Sequence, residues 1–119
     1  MSTRAIVVDK RGKYVKRYYV YQDAYPDRFG RRLERMRQNN ISLDTLSPFD
    51  PAGESIEPIS RKNSEGDLED YVYTITPEET RFIDSGKMYD CSIHQTYVSG
   101  YIKQDGTIVH GYCKGSRYR

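Results

Sequence analysis

Four residues near the C-terminal end have the side chains that bind metals. Cys91 and His94 are spaced as Cys-x2-His, and His110 and Cys113 as His-x2-Cys. A Cys2His2 set suits zinc, which takes thiolate and imidazole ligands at the corners of a tetrahedron. Residues i and i+3 of a strand point to opposite faces, so each pair would need a knuckle to converge. The same cysteines also admit a Cys91–Cys113 disulfide. A plainer alternative is preferred to both: two cysteines packed as small hydrophobes, and no metal or cofactor. His94 or His110 beside a carboxylate has the chemistry of a general acid or base. However, the chain has no phosphate-binding glycine loop, no nucleophile elbow and no HExxH. No catalytic residue is therefore assigned, and the expectation is a protein that is not an enzyme.

The arginines offer binding chemistry. At about 100° per residue, Arg28, Arg31, Arg32 and Arg35 fall on one arc of a helix, away from the apolar stripe Phe29, Leu33 and Met36. Such a face can meet phosphates, helped by Lys16, Arg17 and the arginines of the tail, or it can anchor a protein interface. Tyr101, His110 and Tyr112 complete the candidate contact set from a C-terminal hairpin. The formal charge of +2 hides a partition: +7 over residues 1–40, −8 over 41–90 and +3 over 91–119. Segregated charge steers partners, unless the blocks neutralise each other within the fold. A pI of about 8.5 is low for a dedicated nucleic-acid binder.

The elements that must position these residues follow from length and pattern. A chain of 119 residues with 36% hydrophobic content and 12 tyrosines makes one domain with a small core. Its start lacks a secretory stretch and no apolar run approaches a membrane span, so a cytoplasmic protein without membrane contact is expected. Thr3–Val8, a turn at Lys10–Lys13 and Tyr14–Tyr21 read as a β-hairpin. Pro26 and Asp27 open a helix to about Gln38, and Asn39-Asn40 stop it. Residues 44–66, with three prolines and two glycines, read as a long irregular loop pinned by Phe49, Ile56 and Ile59. Asp67–Thr76 ends in a strand. Thr76-Pro77-Glu78-Glu79 has the signature of a short helix start, and Met88–Ile93 of another strand. The expected fold is α+β: an antiparallel sheet of about five or six strands with one main helix packed on it. Its open strand edges could pair two copies, so both monomer and homodimer stand.

Residues 97–114 repeat Val-x-Gly-Tyr-x-Lys on either side of Asp105-Gly106. A two-residue turn at Asp105-Gly106 would set Val98 opposite Cys113, Gly100 opposite Gly111, Tyr101 opposite His110 and Ile102 opposite Val109. One face is then apolar, and Tyr101, His110 and Tyr112 share the other. A three-residue Gln104-Asp105-Gly106 loop would shift the pairing by one. The first register is preferred because it gathers the apolar residues. The glycines should leave a dent for another backbone or an aromatic ring. A short basic tail, residues 115–119, follows.

MSTRAIVVD, the segment Tyr21-Gln22-Asp23-Ala24-Tyr25-Pro26 before a helix, and DLEDYVYTI together resemble a group of small proteins of phages and bacterial mobile elements. Those begin MSTR or MATR, carry HWDGYP before a helix, and have a later D-L-E-Y-x-Y-x-I-like strand. The resemblance covers residues 1–38 and 67–76. Tyr21-Gln22 stand where the group has His-Trp, and Ala24 where it has Gly. GYIKQDGTIVHGYCKGS is similar to a GYxRxDGTxVxGYxR element near the ends of many small bacterial and phage proteins. The resemblance implies a phage or mobile-element context in a bacterial host cell, with no established activity. Combined with the segregated charge and the tyrosines, it leads to the expectation of a non-enzymatic protein that binds a host protein or protein–nucleic acid complex. An inhibitor of a host defence system, such as an anti-CRISPR protein, is one such case. Direct nucleic-acid binding through the arginine face is the alternative.

Overall fold

The computed structural model describes residues 3–21, 23–45, 56–59 and 70–115, with only the backbone of 56–59. Strands β1 (Ala5–Asp9) and β2 (Lys16–Val20) form the expected hairpin. A π-helical turn, Pro26–Gly30, runs directly into α1 (Arg31–Gln38). Pro26 suits the first turn because its missing N–H would have had no helical partner there. At the other end Ile41 N–H bonds the Met36 carbonyl, and Asn40, at φ 52°, takes the left-handed conformation that ends helices.

Next come β3 (Ile56–Ile59), β4 (Tyr71–Ile75), β5 (Thr80–Asp84), a short α2 (Ser85–Tyr89), β6 (Thr96–Val98), β7 (Gly100–Ile102), β8 (Ile108–Val109) and β9 (Tyr112–Lys114). Seven strands join in the order β3-β2-β1-β4-β5-β7-β8, and β6 pairs with β9 in a second sheet. The fold is α+β, but the main sheet is mixed, because β1 and β4 run parallel. Parallel pairing needs no local turn and so leaves no local sequence signal.

Alternate residues of neighbouring strands line the helix side of the sheet. Ala5 and Val7, Tyr18 and Val20, Tyr73 and Ile75, Phe82 and Ile102 are all buried there with Phe29, Leu33 and Met36. The apolar stripe of α1 packs as its spacing predicts. The buried tyrosine hydroxyls find partners: Tyr18 donates to Asp44 Oδ1 at 2.8 Å, and Tyr73 donates to the Ala24 carbonyl.

Three expected elements are corrected. Thr76-Pro77-Glu78-Glu79 starts no helix. The Thr76 hydroxyl accepts the N–H groups of Glu78 and Glu79 and closes a β4–β5 turn, so the same capping chemistry serves a hairpin. Met88–Ile93 is not a strand: Asp84 caps α2 through Lys87 N–H, and the chain then turns. At the start of the expected 44–66 loop, Leu43–Thr45 is a 3-10 turn with Leu43 buried, and inside the loop β3 is an edge strand. The rest of that loop, 46–55 and 60–66, and the tail residues 116–119 lie outside the described residues.

The C-terminal hairpin adopts the other register. Tyr101 pairs with Val109, Ile102 with Ile108, Tyr97 with Cys113 and Val98 with Tyr112. Gly106 N–H bonds the Lys103 carbonyl, and Gly106 sits at φ 91°. That geometry is the three-residue loop closed by a left-handed glycine. The repeated glycines are sites of close approach. A Cβ on Gly100 would lie 2.5 Å from the Val109 carbonyl and 2.6 Å from the Phe82 ring, and one on Gly111 would overlap Tyr97. Each arm of the repeat therefore gives an aromatic ring its seat. Gly100→Ala should lower stability by about 1–3 kcal/mol through overpacking. Gly86→Ala in α2, where an added Cβ would meet nothing closer than 3.5 Å, should not be destabilising; urea melts of the two variants check this.

Candidate macromolecule-binding groove

The candidate surface is built on α1. Arg28, Arg31 and Arg35 are exposed and Arg32 is half-buried. The helix lies beside the Gln104–Gly106 loop and two hydrogen bonds bridge them. Arg31 Nε donates to the Gly106 carbonyl at 2.9 Å, and Gln38 Nε2 donates to the Gln104 carbonyl at 2.9 Å. Between helix and loop runs a groove of about 550 Å³, lined by Arg31, Glu34, Arg35, Gln38, Gln104, Asp105 and Gly106. The guanidiniums of Arg28 and Arg35 have no hydrogen-bond or ion-pair partner among the described residues.

Glu34 forms the floor and is buried. Arg37 Nε donates to it at 2.7 Å, Thr80 Oγ1 at 2.9 Å and Gln38 Nε2 at 2.8 Å. Burial pulls its carboxyl up, but these donors, led by Arg37, prevail and hold it below its ordinary value. Its charge is thus spent inside the fold and leaves Arg35 without an ion-pair partner among the described residues. Asp105 on the loop accepts Thr107 N–H through Oδ1 at 2.9 Å, which lowers its pKa and keeps it ionised. The groove therefore has a cationic helix wall and an anionic loop wall.

The other candidate residues lie elsewhere. Tyr101 is on the sheet face away from α1, with the Arg81 guanidinium 5.6 Å over its ring. The one-residue shift in register puts His110 and Tyr112 on the opposite side of the hairpin from Tyr101. His110 is exposed with its ring perpendicular to that of Phe82, centroids 6.3 Å apart, and Tyr112 is exposed on the β6–β9 pair. Lys16 is paired with Asp44 at 3.0 Å, and Arg17 alternates to the face opposite α1. Comparisons with protein-family models, curated proteins and solved structures give no match.

The cysteines are neither free nor ligands. Cys91 and Cys113 form a disulfide with Sγ atoms 2.03 Å apart, tying the loop after α2 to β9. This corrects the expectation of two ordinary cysteines and removes both thiolates from the zinc set. His94 lies at the exposed tip of the Ser92–Gln95 turn. No group of three or more His, Cys, Asp or Glu among the described residues could hold a metal ion. No helix among them is long and apolar enough to cross a membrane. A smaller cavity of about 180 Å³ is lined in part by Asp9, Arg11, Tyr14, Lys16 and Ile41. Its charges are paired internally, Arg11 with Asp9 and Lys16 with Asp44.

The groove's loop wall was missed in the sequence, because nothing local marks a contact between residues 75 positions apart. Glu34 did leave a signal: Arg37 and Gln38 stand three and four residues on, at helical pairing distance.

Proposed function

We propose that this is a non-enzymatic protein of a phage or mobile element that acts by binding a host macromolecule through the exposed face of α1. Inhibition of a host defence system, as by an anti-CRISPR protein, is the specific form this reading takes. The phage context rests on the sequence resemblance. The binding role rests on one observation: Arg35 has no partner for its guanidinium among the described residues, in a groove whose other wall carries a carboxylate. Mixed charge of this kind suits a protein surface, and arginine is a favoured interface anchor. A second reading, contact with DNA or RNA phosphates, draws on Arg28 and Arg35, two cations without an acid partner among the described residues.

The test is a pull-down from bacterial host lysate, with and without nuclease, using wild type and the double variant Arg28→Glu/Arg35→Glu. Both arginines are exposed and their guanidiniums make no hydrogen bond or ion pair among the described residues, so the variant should fold. Arg31 is spared because it holds the hairpin loop. A specific protein retained by wild type after nuclease, and lost by the variant, is the expected result. Recovery of nucleic acid alone, with affinity falling steeply as salt rises, would replace it with the second reading.

A further inference from the structure

We infer that the groove between α1 and the Gln104–Gly106 loop is a docking site for a protein segment that presents an acidic side chain next to a basic or amide-bearing one. This rests on the protein-binding reading above and names the partner's chemistry.

Positions 31, 35 and 38 of α1 all line the groove. The first and last spend a side-chain donor on a loop carbonyl, Arg31 on Gly106 and Gln38 on Gln104. Arg35, between them, spends none among the described residues. The two bridges tie the loop to the helix, so the groove is formed before anything binds. A planar guanidinium with its donors unused is built to take a carboxylate in a bidentate pair.

The opposite wall decides which anion. Asp105 accepts the Thr107 N–H at Oδ1 and has no ion-pair partner among the described residues. A phosphate backbone carries charge at regular short intervals and would set one negative group against Asp105 as another reached Arg35. A peptide segment of mixed sign avoids that conflict: its acid meets Arg35 while a neighbouring N–H or cation meets Asp105. The volume of about 550 Å³ suits a few side chains, within the range of preformed ligand clefts.

The experiment titrates the isotope-labelled full chain with three probes, followed by NMR. The probes are a blocked hexapeptide alternating Glu and Lys, hexaglutamate and hexathymidylate. The alternating peptide should bind tightest and shift the Arg35 side chain and the Asp105 and Gly106 amides. Arg35→Gln should weaken it about ten-fold or more, as loss of an interface anchor does. Asp105→Asn should weaken the alternating peptide and strengthen hexaglutamate. Tightest binding of hexathymidylate or hexaglutamate, indifference to Asp105→Asn, or no shift at the groove with any probe would each overturn the inference. The pull-down separates the two claims. If Arg35→Gln retains a nuclease-resistant protein at wild-type level, the groove assignment falls and the binding function stands. If wild type retains no macromolecule, the function falls.

Discussion

Replacing Glu34 with alanine is expected to lower the free energy of unfolding by about 3–5 kcal/mol, the usual cost of breaking a buried ion pair from one side. The Glu34 and Arg37 side chains are 2% and 8% exposed. Alanine would leave the Arg37 cation with the Pro77 carbonyl as its remaining side-chain hydrogen-bond partner among the described residues, and would strand the Thr80 hydroxyl in the core. Glu34→Gln keeps the shape but turns an amide toward the Arg37 donors, so it should cost less than alanine while still destabilising. The same residue sets an acid limit. Its folded pKa lies below its ordinary value of 4.5, so its stabilisation is complete above that pH. It is lost as the pH falls through the lower, folded value. Wild-type stability should therefore drop at acid pH, and the drop should be smaller in Glu34→Gln. Urea denaturation monitored by circular dichroism across pH measures both effects.

The second large effect belongs to the disulfide. Reduction, or the pair Cys91→Ser/Cys113→Ser, should cost about 3 kcal/mol, as expected for a closed loop of this size, the cysteines being 22 positions apart. The loss should be local. β6 and β9 pair over only three residues each, and besides the disulfide the pair is held by the Tyr97 ring on Gly111 and by the Tyr97 hydroxyl, which accepts Asp84 N–H. Hydrogen exchange should show amides of 91–98 and 112–114 losing protection while β1, β2, β4 and β5 keep theirs. Uniform loss across both sheets would mean that the disulfide supports the whole fold. Disulfides persist in oxidising surroundings, so the same measurement in a reducing buffer reports the form expected in a reducing compartment.

What the sequence made legible was local. The period of Phe29, Leu33 and Met36 marked the helix and its buried side. The β-branched and aromatic runs on either side of Lys10–Lys13 marked the first hairpin. The arginine arc followed from the helical angle alone, so half of the groove could be read in advance. Distant relations were not legible. The parallel β1–β4 pair has no turn to announce it. Thr80–Asp84 has strand-forming residues, but the threonine–proline–acid start before it looked like a helix cap.

One residue of register in the last hairpin had wide effects. It moved Cys113 to the side where Cys91 waits, and it divided Tyr101 from His110 and Tyr112. Register inverts every side chain at once. Gathering the apolar residues argued for a two-residue turn, whereas Gly106 closes a loop of three. Ile108 rather than Val109 consequently joins the core.

The bend in that hairpin has a consequence for behaviour in concentrated solution. The last strand of the main sheet is β8, only Ile108–Val109 long, and after Val109 the chain leaves to pair in the other sheet. An exposed strand edge is a template on which further chains can stack into fibrils. Here the template is two residues long and its continuation is turned out of line. Molecules that collide along this side find too short a rail to lengthen the sheet, and amyloid-type growth from it stops at its first step.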